Sequence, residues 1–252
     1  MLNTLKSFVY SAGLLLGRVV HHNRYSKVLY YHDVHQDQEQ AETPMSTPMR
    51  LFAQHIKLIR ERGFEIVDVI TQPKNQIQLT FDDGYSGVFK NRHFFIRQGI
   101  KPTIFLITSS IGTDHFMKVD EIKKLQGEGF RFQSHTHTHP DLNLLSAAQL
   151  QQEFSTSKDM LETLLEEPVT EICFPKGFFN DQTVNIAFQE GYTSLYASIP
   201  GYAQEKNRFK VRYRNLVQFS TLFNLKCILF GGMDLYKNRY AKQHYYPNPA
   251  AK

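Results

Sequence analysis

"RQGIKPTIFLIT", Arg97–Thr108, shows how this chain joins a helix to a strand. A helix-prone stretch stops at Gly99, an apolar residue follows, and a β-prone run begins. Glycine adopts the left-handed conformation that ends a helix, and the apolar residue after it packs back on that helix. The same join recurs at Gly63, Gly129 and Gly191. Four joins of one kind predict a parallel sheet with helices outside it.

Two amphipathic helices agree with this architecture. One is expected to begin at Thr47-Pro48, and the other begins with the capping box Ser146–Gln149 and stops before Pro168. Five or more βα units fit within about 200 residues, which is too few for an eight-fold barrel. The pattern therefore predicts an α/β protein with an open sheet or a shortened barrel.

The composition limits the classes of function. A chain of 252 residues with 41% hydrophobic content can bury a sizeable core within one domain. Its net charge of +5 is spread along the chain rather than gathered in a basic run, so we expect no nucleic-acid partner. Two cysteines, Cys173 and Cys227, exclude a disulfide framework.

The two ends of the chain differ from the middle. Residues 1–26 predict an amphipathic helical segment whose apolar stretch, Phe8 to Leu16, is about half the length that spans a membrane. It either packs on the domain or makes a peripheral contact with a membrane surface. Arg18 follows in place of a cleavage site, so a cytoplasmic or membrane-peripheral location is favoured. Residues 236–252 predict a loosely ordered tail.

The stretch "LTFDDGY", Leu79–Tyr85, places Asp82 and Asp83 directly after a β-prone run. An Asp-Gly turn alone accounts for carboxylates at such a position, because aspartate accepts backbone hydrogen bonds in turns. In a parallel α/β architecture, however, functional residues gather where strands end and loops begin. Both aspartates are therefore candidate functional residues.

A second polar segment, "SHTHTHPDL" from Ser134 to Leu142, also follows a β-prone run and should open on the same rim. Imidazole and carboxylate groups are the usual ligands of a catalytic zinc or similar divalent ion. An extended segment would direct His135, His137 and His139 the same way, whereas a helical turn directs only His135 and His139 together. Pro140 favours the turn, so His135 and His139 are the expected ligands, with His137 outside them.

With these motifs the sequence resembles the polysaccharide deacetylases, which are carbohydrate esterase family four and carry the NodB-homology domain. The matching motifs are "TFDDG", "SHTHTHPDL" and, at Cys173–Gly177, "CFPKG", and the motif usage is nearest to that of poly-N-acetylglucosamine deacetylases. The resemblance implies a distorted (β/α) barrel of about seven parallel strands with outer helices. It also implies a catalytic domain at residues 27–235 and metal-dependent removal of N-acetyl groups from an N-acetylated amino sugar in a polysaccharide or glycolipid.

The resemblance assigns roles to individual positions. Asp83, His135 and His139 would hold Zn²⁺ or another divalent transition metal, and Asp82 would be the general base. The backbone N–H of Lys176 would stabilise the negative charge that develops on the acetyl oxygen.

The chain departs from the family at the third motif. Many members have an arginine, which orients the base, at the position of Cys173. A thiol cannot replace a guanidinium, so Arg212 or Arg214 in "KVRYRNL" is expected to take over. Lys176 stands where tyrosine is common.

The general acid is also unusual. No histidine stands in the family's C-terminal leucine-x-histidine setting, since the late His244 lies in the expected tail. Poly-N-acetylglucosamine deacetylases take the acid from an early Tyr-His-x-hydrophobic motif, which "YHDV" at Tyr31–Val34 matches. The resemblance thus makes His32 the expected acid. The neighbouring carboxylate of Asp33 is a candidate to orient it.

Two alternative functions stay open from the sequence. One is hydrolysis of another bond, such as a phosphoester, although two-metal phosphoesterases need more ligands than can be placed here. The other is saccharide binding without catalysis, which Cys173 at the arginine position motivates.

Overall fold

The computed structural model describes residues 2–204 and 206–246. Their elements, in chain order, are α1 (Leu2–Val20), β1 (Lys27–Tyr31), β2 (Asp33–His35), β3 (Ser46–Pro48), α2 (Met49–Glu61), β4 (Glu65–Val67), β5 (Gln76–Phe81), α3 (Gly87–Lys90), α4 (Arg92–Arg97), β6 (Thr103–Leu106), α5 (Val119–Gly127), β7 (Arg131–Ser134), α6 (Ala147–Leu165), β8 (Glu171–Cys173), α7 (Asp181–Gln189), β9 (Ser194–Ala197), β10 (Arg212–Leu216), α8 (Leu222–Leu229) and α9 (Lys237–His244).

Seven of these strands form a closed parallel barrel. They pair in the order β1–β10–β9–β8–β7–β6–β5, and β5 pairs with β1 to close the ring. Strand β4 pairs with the beginning of β5 outside the ring, while β2 and β3 form a separate parallel pair. The prediction of a distorted (β/α) barrel of about seven parallel strands with outer helices is confirmed.

The helix-to-strand joins follow the sequence pattern. At each of the four glycines φ is positive, and the N–H of the next residue donates to the carbonyl five positions earlier. This is the hydrogen bond that closes a helix capped by a left-handed residue. The residues whose N–H groups make it are Phe64, Ile100, Phe130 and Tyr192.

The two predicted helix starts have different outcomes. Ser146 and Gln149 form both hydrogen bonds of the capping box at the start of α6. Helix α2, in contrast, begins at Met49 rather than at Thr47-Pro48. Thr47 belongs to β3, and its hydroxyl donates to the Gln218 carbonyl (3.0 Å) instead of capping the helix.

The core has two parts. The larger one lies between the strands and the helices, and all six residues of β5 are buried, as expected of a strand covered on both faces. A smaller apolar cluster lies inside the ring and draws on four strands and two loops. Its members are Val28, Ile70, Phe105, Cys173, Tyr196 and Ala203.

Both ends of the described chain pack on the barrel. Helix α1 buries Leu14 and contacts α8 and the 3₁₀ turn Gly232–Tyr236. No helix in the described ranges is long and apolar enough to cross a membrane. Within the segment expected to be a loosely ordered tail, residues 236–252, the structure has helix α9 at residues 237–244, and Tyr245 after it packs its ring on Phe179 and Phe209. Residues 247–252 lie outside the described residues.

Candidate active site

The predicted site residues lie at the carboxyl ends of the barrel strands. Asp82 and Asp83 directly follow β5, His135 follows β7, Lys176 follows β8, and His32 follows β1. The carboxyl ends of parallel barrel strands face one rim, so these residues share one side of the barrel.

Asp82 is paired with an arginine from the last strand. Arg214 Nη1 donates to Asp82 Oδ1 (2.6 Å), and Nη2 donates to Oδ2 (2.8 Å). The Arg214 guanidinium also lies 4.3 Å from the centre of the Tyr30 ring. Of the two arginines that the sequence left open, Arg214 therefore contacts Asp82, whereas Arg212 lies 5.8 Å from the Tyr196 ring centre.

The ion pair controls the charge of Asp82. Burial is the largest single influence and would raise the pKa of this carboxyl, but the charges of Arg214 and His135 and the hydrogen bonds from Arg214 together outweigh it and lower the pKa to about 2. Cys173 Sγ lies 3.8 Å from Asp82 Oδ2 and keeps its thiol proton, since burial raises its pKa. Asp82 is therefore ionised at neutral pH.

Asp83 faces two histidines. Its Oδ1 lies 3.4 Å from His135 Nε2 and 3.6 Å from His139 Nε2. One ligand atom from each of the three residues lies within 4.8 Å of the others. His135 Nδ1 donates to the Cys173 carbonyl (2.8 Å), which directs the Nε2 lone pair towards Asp83. The structure thus brings together the three residues that the sequence nominated as metal ligands.

The backbone of this cluster is unusual. Asp83, Thr136 and His139 all have positive φ, at 71°, 68° and 58°. Such conformations cost about 1–3 kcal/mol each in residues other than glycine and tend to gather at functional sites. The turn at Thr136 sends His137 away from the cluster, and His137 Nδ1 bonds to the Thr108 hydroxyl (2.8 Å).

His32 is held by a residue that the sequence did not nominate. Its Nδ1 lies 2.6 Å from Gln218 Oε1, and this amide oxygen accepts the Nδ1 proton. The Gln218 backbone is itself held, because its carbonyl accepts from the Thr47 hydroxyl. Gln218 lies two residues beyond β10. Its nearness to a strand end is the signal that would have nominated it.

Asp33 was expected to orient His32, and the structure gives it a different position. Its carboxyl is fully buried beside α3, where a Cβ on Gly87 would lie 2.1 Å from Asp33 Oδ1. Burial raises the pKa of Asp33 to about 6. Asp33 packs the chain after His32 against the turn that follows Asp83.

Lys176 occupies a tight 3₁₀ turn, Pro175–Gly177, with φ 56°. The turn is held by a hydrogen bond from the Gly177 N–H to the Phe174 carbonyl (2.9 Å). A Cβ on Gly177 would lie 2.5 Å from Ser198 Cβ, so the fold leaves no room for a side chain at this position. The Lys176 side chain is exposed.

The C-terminal segment packs against the chain that follows this turn. Phe179 N–H donates to the His244 carbonyl (3.0 Å), and Tyr246 N–H donates to the Phe179 carbonyl (3.0 Å). The Phe178 ring lies 5.4 Å from His244 and 5.6 Å from Tyr246 between ring centres. His244, which was expected in a loose tail, therefore contacts the chain that follows the Lys176 turn.

The fold and site define the chain as a parallel (β/α)-barrel protein with an ion-paired aspartate beside a candidate metal centre. The sequence profile described as polysaccharide deacetylase matches residues 70–195, which is half of the chain. The chain belongs to the polysaccharide deacetylase family.

Individual relatives agree with this assignment. YxkH of Bacillus subtilis (strain 168) is 28% identical over 187 residues, which cover 70% of this chain and 65% of that protein. Poly-beta-1,6-N-acetyl-D-glucosamine N-deacetylase of Staphylococcus aureus (strain MRSA252) is 24% identical over 134 residues, 47% of this chain and 46% of the relative. The matches thus span about half to two thirds of these relatives. The solved structure of the Streptococcus pyogenes deacetylase PplD has a TM-score of 0.71 at 24% identity and covers 81% of this chain and 98% of that one, a likeness of fold.

Proposed function

We propose that this protein is a metal-dependent hydrolase that removes N-acetyl groups from an N-acetylated amino sugar in a polysaccharide or glycolipid. One observation carries the proposal. The adjacent aspartates have separate partners, since Asp82 pairs with a cation and Asp83 faces two imidazoles. Such a division suits one residue for proton transfer and the other for metal binding.

The residues around Asp83 fit a metal ion. Asp83 Oδ1 is buried and makes no hydrogen bond of good geometry with any described residue. A buried carboxylate oxygen without a partner is costly unless a cation compensates for it. Two imidazoles and one carboxylate suit Zn²⁺ or another divalent transition metal and leave positions for water and substrate. When bound, the ion would lower the pKa of water and polarise the acetyl carbonyl.

Asp82 is suited to act as the general base. It is ionised because of Arg214. Its Oδ1 keeps a lone pair after accepting one hydrogen bond from the guanidinium, whereas Oδ2 accepts from the guanidinium and also from the Cys173 thiol (3.8 Å). Asp82 can therefore take the proton of the attacking water while Arg214 holds the carboxylate in place. Arg214 thus does from β10 what an arginine at the Cys173 position does in other members.

Two further groups complete the chemistry. The Lys176 N–H donates to the acetyl oxygen as negative charge develops on it, as in other oxyanion sites. His32, held through Nδ1 by Gln218, offers Nε2 as the atom that passes a proton to the departing amine. Water thereby adds hydroxyl to the acetyl carbon, the C–N bond breaks, and the amine leaves with the proton from His32.

The relatives support the class of substrate. The Staphylococcus aureus relative is named for a β-1,6-linked polymer of N-acetylglucosamine. We propose an N-acetylated glucosamine chain as the substrate of this protein also.

The test is acetate release from N-acetylglucosamine oligomers of β-1,6 and β-1,4 linkage, measured with and without a chelator. We expect release by the metal-loaded protein that stops with the chelator and returns when Zn²⁺ is restored. Asp82→Asn should abolish release while keeping the metal, and Asp83→Asn should lose both. Release that is unaffected by the chelator, or an absence of release from every oligomer, would overturn the proposal.

A further inference from the structure

Helix α1 has two unlike faces. On one face Gly13 and Gly17 lie so close to the 3₁₀ turn Gly232–Tyr236 that a side chain would not fit. A Cβ on Gly13 would lie 1.7 Å from the Tyr236 hydroxyl oxygen, and a Cβ on Gly17 would lie 2.2 Å from the Gly232 carbonyl oxygen. Leu14 on the same face is fully buried. This face fixes the helix to the barrel.

The opposite face of α1 is apolar and exposed. At 100° per residue, its side chains occupy one arc of about 140° in which every position is apolar. We call this surface the apolar arc; its members are Phe8, Val9, Ala12, Leu15, Leu16, Val19 and Val20. The exposed fraction reaches 70% at Phe8 and 71% at Val19. An amphipathic helix of a water-soluble domain turns its apolar stripe to the core, and α1 does the reverse.

The charges that α1 itself carries are of one sign. Helix α1 contains no aspartate or glutamate, and its two charged residues are Lys6 and Arg18. On the helical wheel these two residues lie on opposite sides of the arc. His21 and His22, directly after α1, are exposed. The arc is therefore an apolar strip bordered by Lys6 on one side and by Arg18 on the other, where the Arg18 guanidinium lies 5.4 Å from the centre of the Phe230 ring.

We propose that the apolar arc docks on an anionic lipid bilayer, with α1 lying in the plane of the headgroups. Its apolar side chains would enter the boundary with the acyl chains, and Lys6 and Arg18 would meet the lipid phosphates. The glycine face keeps the barrel attached to the helix, so the domain is carried to the membrane surface without crossing it.

Charge also argues against a second copy of this chain as the occupant. A symmetric dimer through the arc would bring two faces with positive borders together and would offer no acidic group from α1 to compensate. An anionic headgroup layer compensates both borders at once. The proposal does not depend on the deacetylase activity, because binding to lipid is measured without substrate.

The test is co-sedimentation of the full chain with vesicles of phosphatidylcholine alone or mixed with phosphatidylglycerol. We expect binding to the mixed vesicles that weakens with salt, and about tenfold weaker binding of Val19→Glu and Leu16→Glu. Met160→Glu is the matched control, since Met160 is an exposed apolar residue (43%) on α6, outside the arc. It should bind as the wild type does.

Several outcomes would overturn the proposal. They are wild-type protein that stays in solution with the mixed vesicles, arc variants that bind as tightly as the wild type, and an equal loss in Met160→Glu. Analytical ultracentrifugation tests the alternative occupant, because a wild-type dimer that Val19→Glu converts to a monomer, with lipid binding unchanged, would assign the arc to self-association.

Discussion

The Arg214 guanidinium donates one hydrogen bond to each carboxylate oxygen of Asp82, from Nη1 at 2.6 Å and from Nη2 at 2.8 Å. Both residues are almost fully buried, at 1% and 2% exposure. Because the guanidinium is planar, this fork fixes the rotation of the carboxylate as well as its charge. The orientation of the residue after β5 thus depends on a residue of β10.

Two replacements of Arg214 should separate its two effects on Asp82, which are to orient the carboxylate and to compensate its charge. Arg214→Lys keeps a cation but loses the fork, so we expect acetate release to fall by about a hundredfold with metal content unchanged. Arg214→Met leaves a buried charge without a partner and should cost about 3–5 kcal/mol of unfolding free energy. Arg212→Lys is the matched control on the same strand and should change neither acetate release nor the free energy of unfolding. Equal losses in the two lysine variants would contradict the assignment.

The same ion pair predicts how stability depends on pH. The folded state lowers the pKa of Asp82 from 3.8 to about 2. A lowered pKa contributes stability that is present above the unfolded value and is lost as pH falls through the folded value, here between about pH 4 and pH 2. The loss should be about 2 kcal/mol. Denaturant titrations of chelator-treated protein should show a smaller drop over this range in Asp82→Asn, and an identical drop would contradict the pairing.

The two histidines proposed as metal ligands can be distinguished experimentally from His137, which lies between them in the sequence. His135→Ala and His139→Ala should lose high-affinity zinc, because each removes one of the three groups of the cluster. His137→Ala should keep it, because the His137 ring bonds to Thr108 instead. The measurement is the metal content of each variant after dialysis, determined by mass spectrometry. Loss of metal in His137→Ala alone would mean that the ligand set is wrong.

Weakening the packing of the C-terminal segment should lower turnover, because this segment packs against the chain that follows the Lys176 turn. Tyr245→Ala removes the ring that packs on Phe179 and Phe209, so the turn that presents the Lys176 N–H should loosen. We expect kcat to fall about tenfold with KM and metal content unchanged. Tyr245→Phe keeps the ring, loses only the hydrogen bond to Asp181, and should retain turnover. A change in KM alone would contradict this view.

The repeated joins made the fold predictable. A glycine after a helix and an apolar residue beyond it are local signals, and the barrel places each where the sequence indicated. The ordered segment at residues 237–246 was not predictable, because α9 has no buried residue and no apolar stripe. Tyr240, Ala241 and Tyr245 pack against the core, and the ring partners of Tyr245 are distant in the sequence.

The site shows the same division between local and distant signals. Arg212 and Arg214 share one face of β10, since side chains alternate along a strand, so periodicity cannot choose between them. The two arginines differ in their position along the barrel axis. Arg214 is at the height of Asp82 and donates to it, and Arg212 is two residues earlier on the strand. The chain bends at His32, between β1 and β2, and Asp33 is buried beside α3, so it does not orient His32. The partner that does, Gln218, is 186 residues away in the sequence.

The assignment of His32 as the general acid rests on its position and its tether. It follows β1 on the rim that carries the two aspartates, and a positive charge on its ring would lower the pKa of both Asp82 and Asp83. Gln218 accepts the Nδ1 proton, which leaves Nε2 to carry the proton for the leaving amine. In the proposed mechanism Gln218 would therefore position the His32 ring.

This role predicts a difference between two substrates. His32→Ala should bind metal normally and lose about a hundredfold in turnover on the acetamide, because the amine must be protonated as it leaves. It should lose much less on an activated acetyl ester, whose leaving group needs no proton. Gln218→Leu should show the same preference more weakly, since it loosens the imidazole without removing it. A histidine that only packs would instead lower the thermal stability and reduce both activities alike, so equal losses on amide and ester would exclude His32 as the acid.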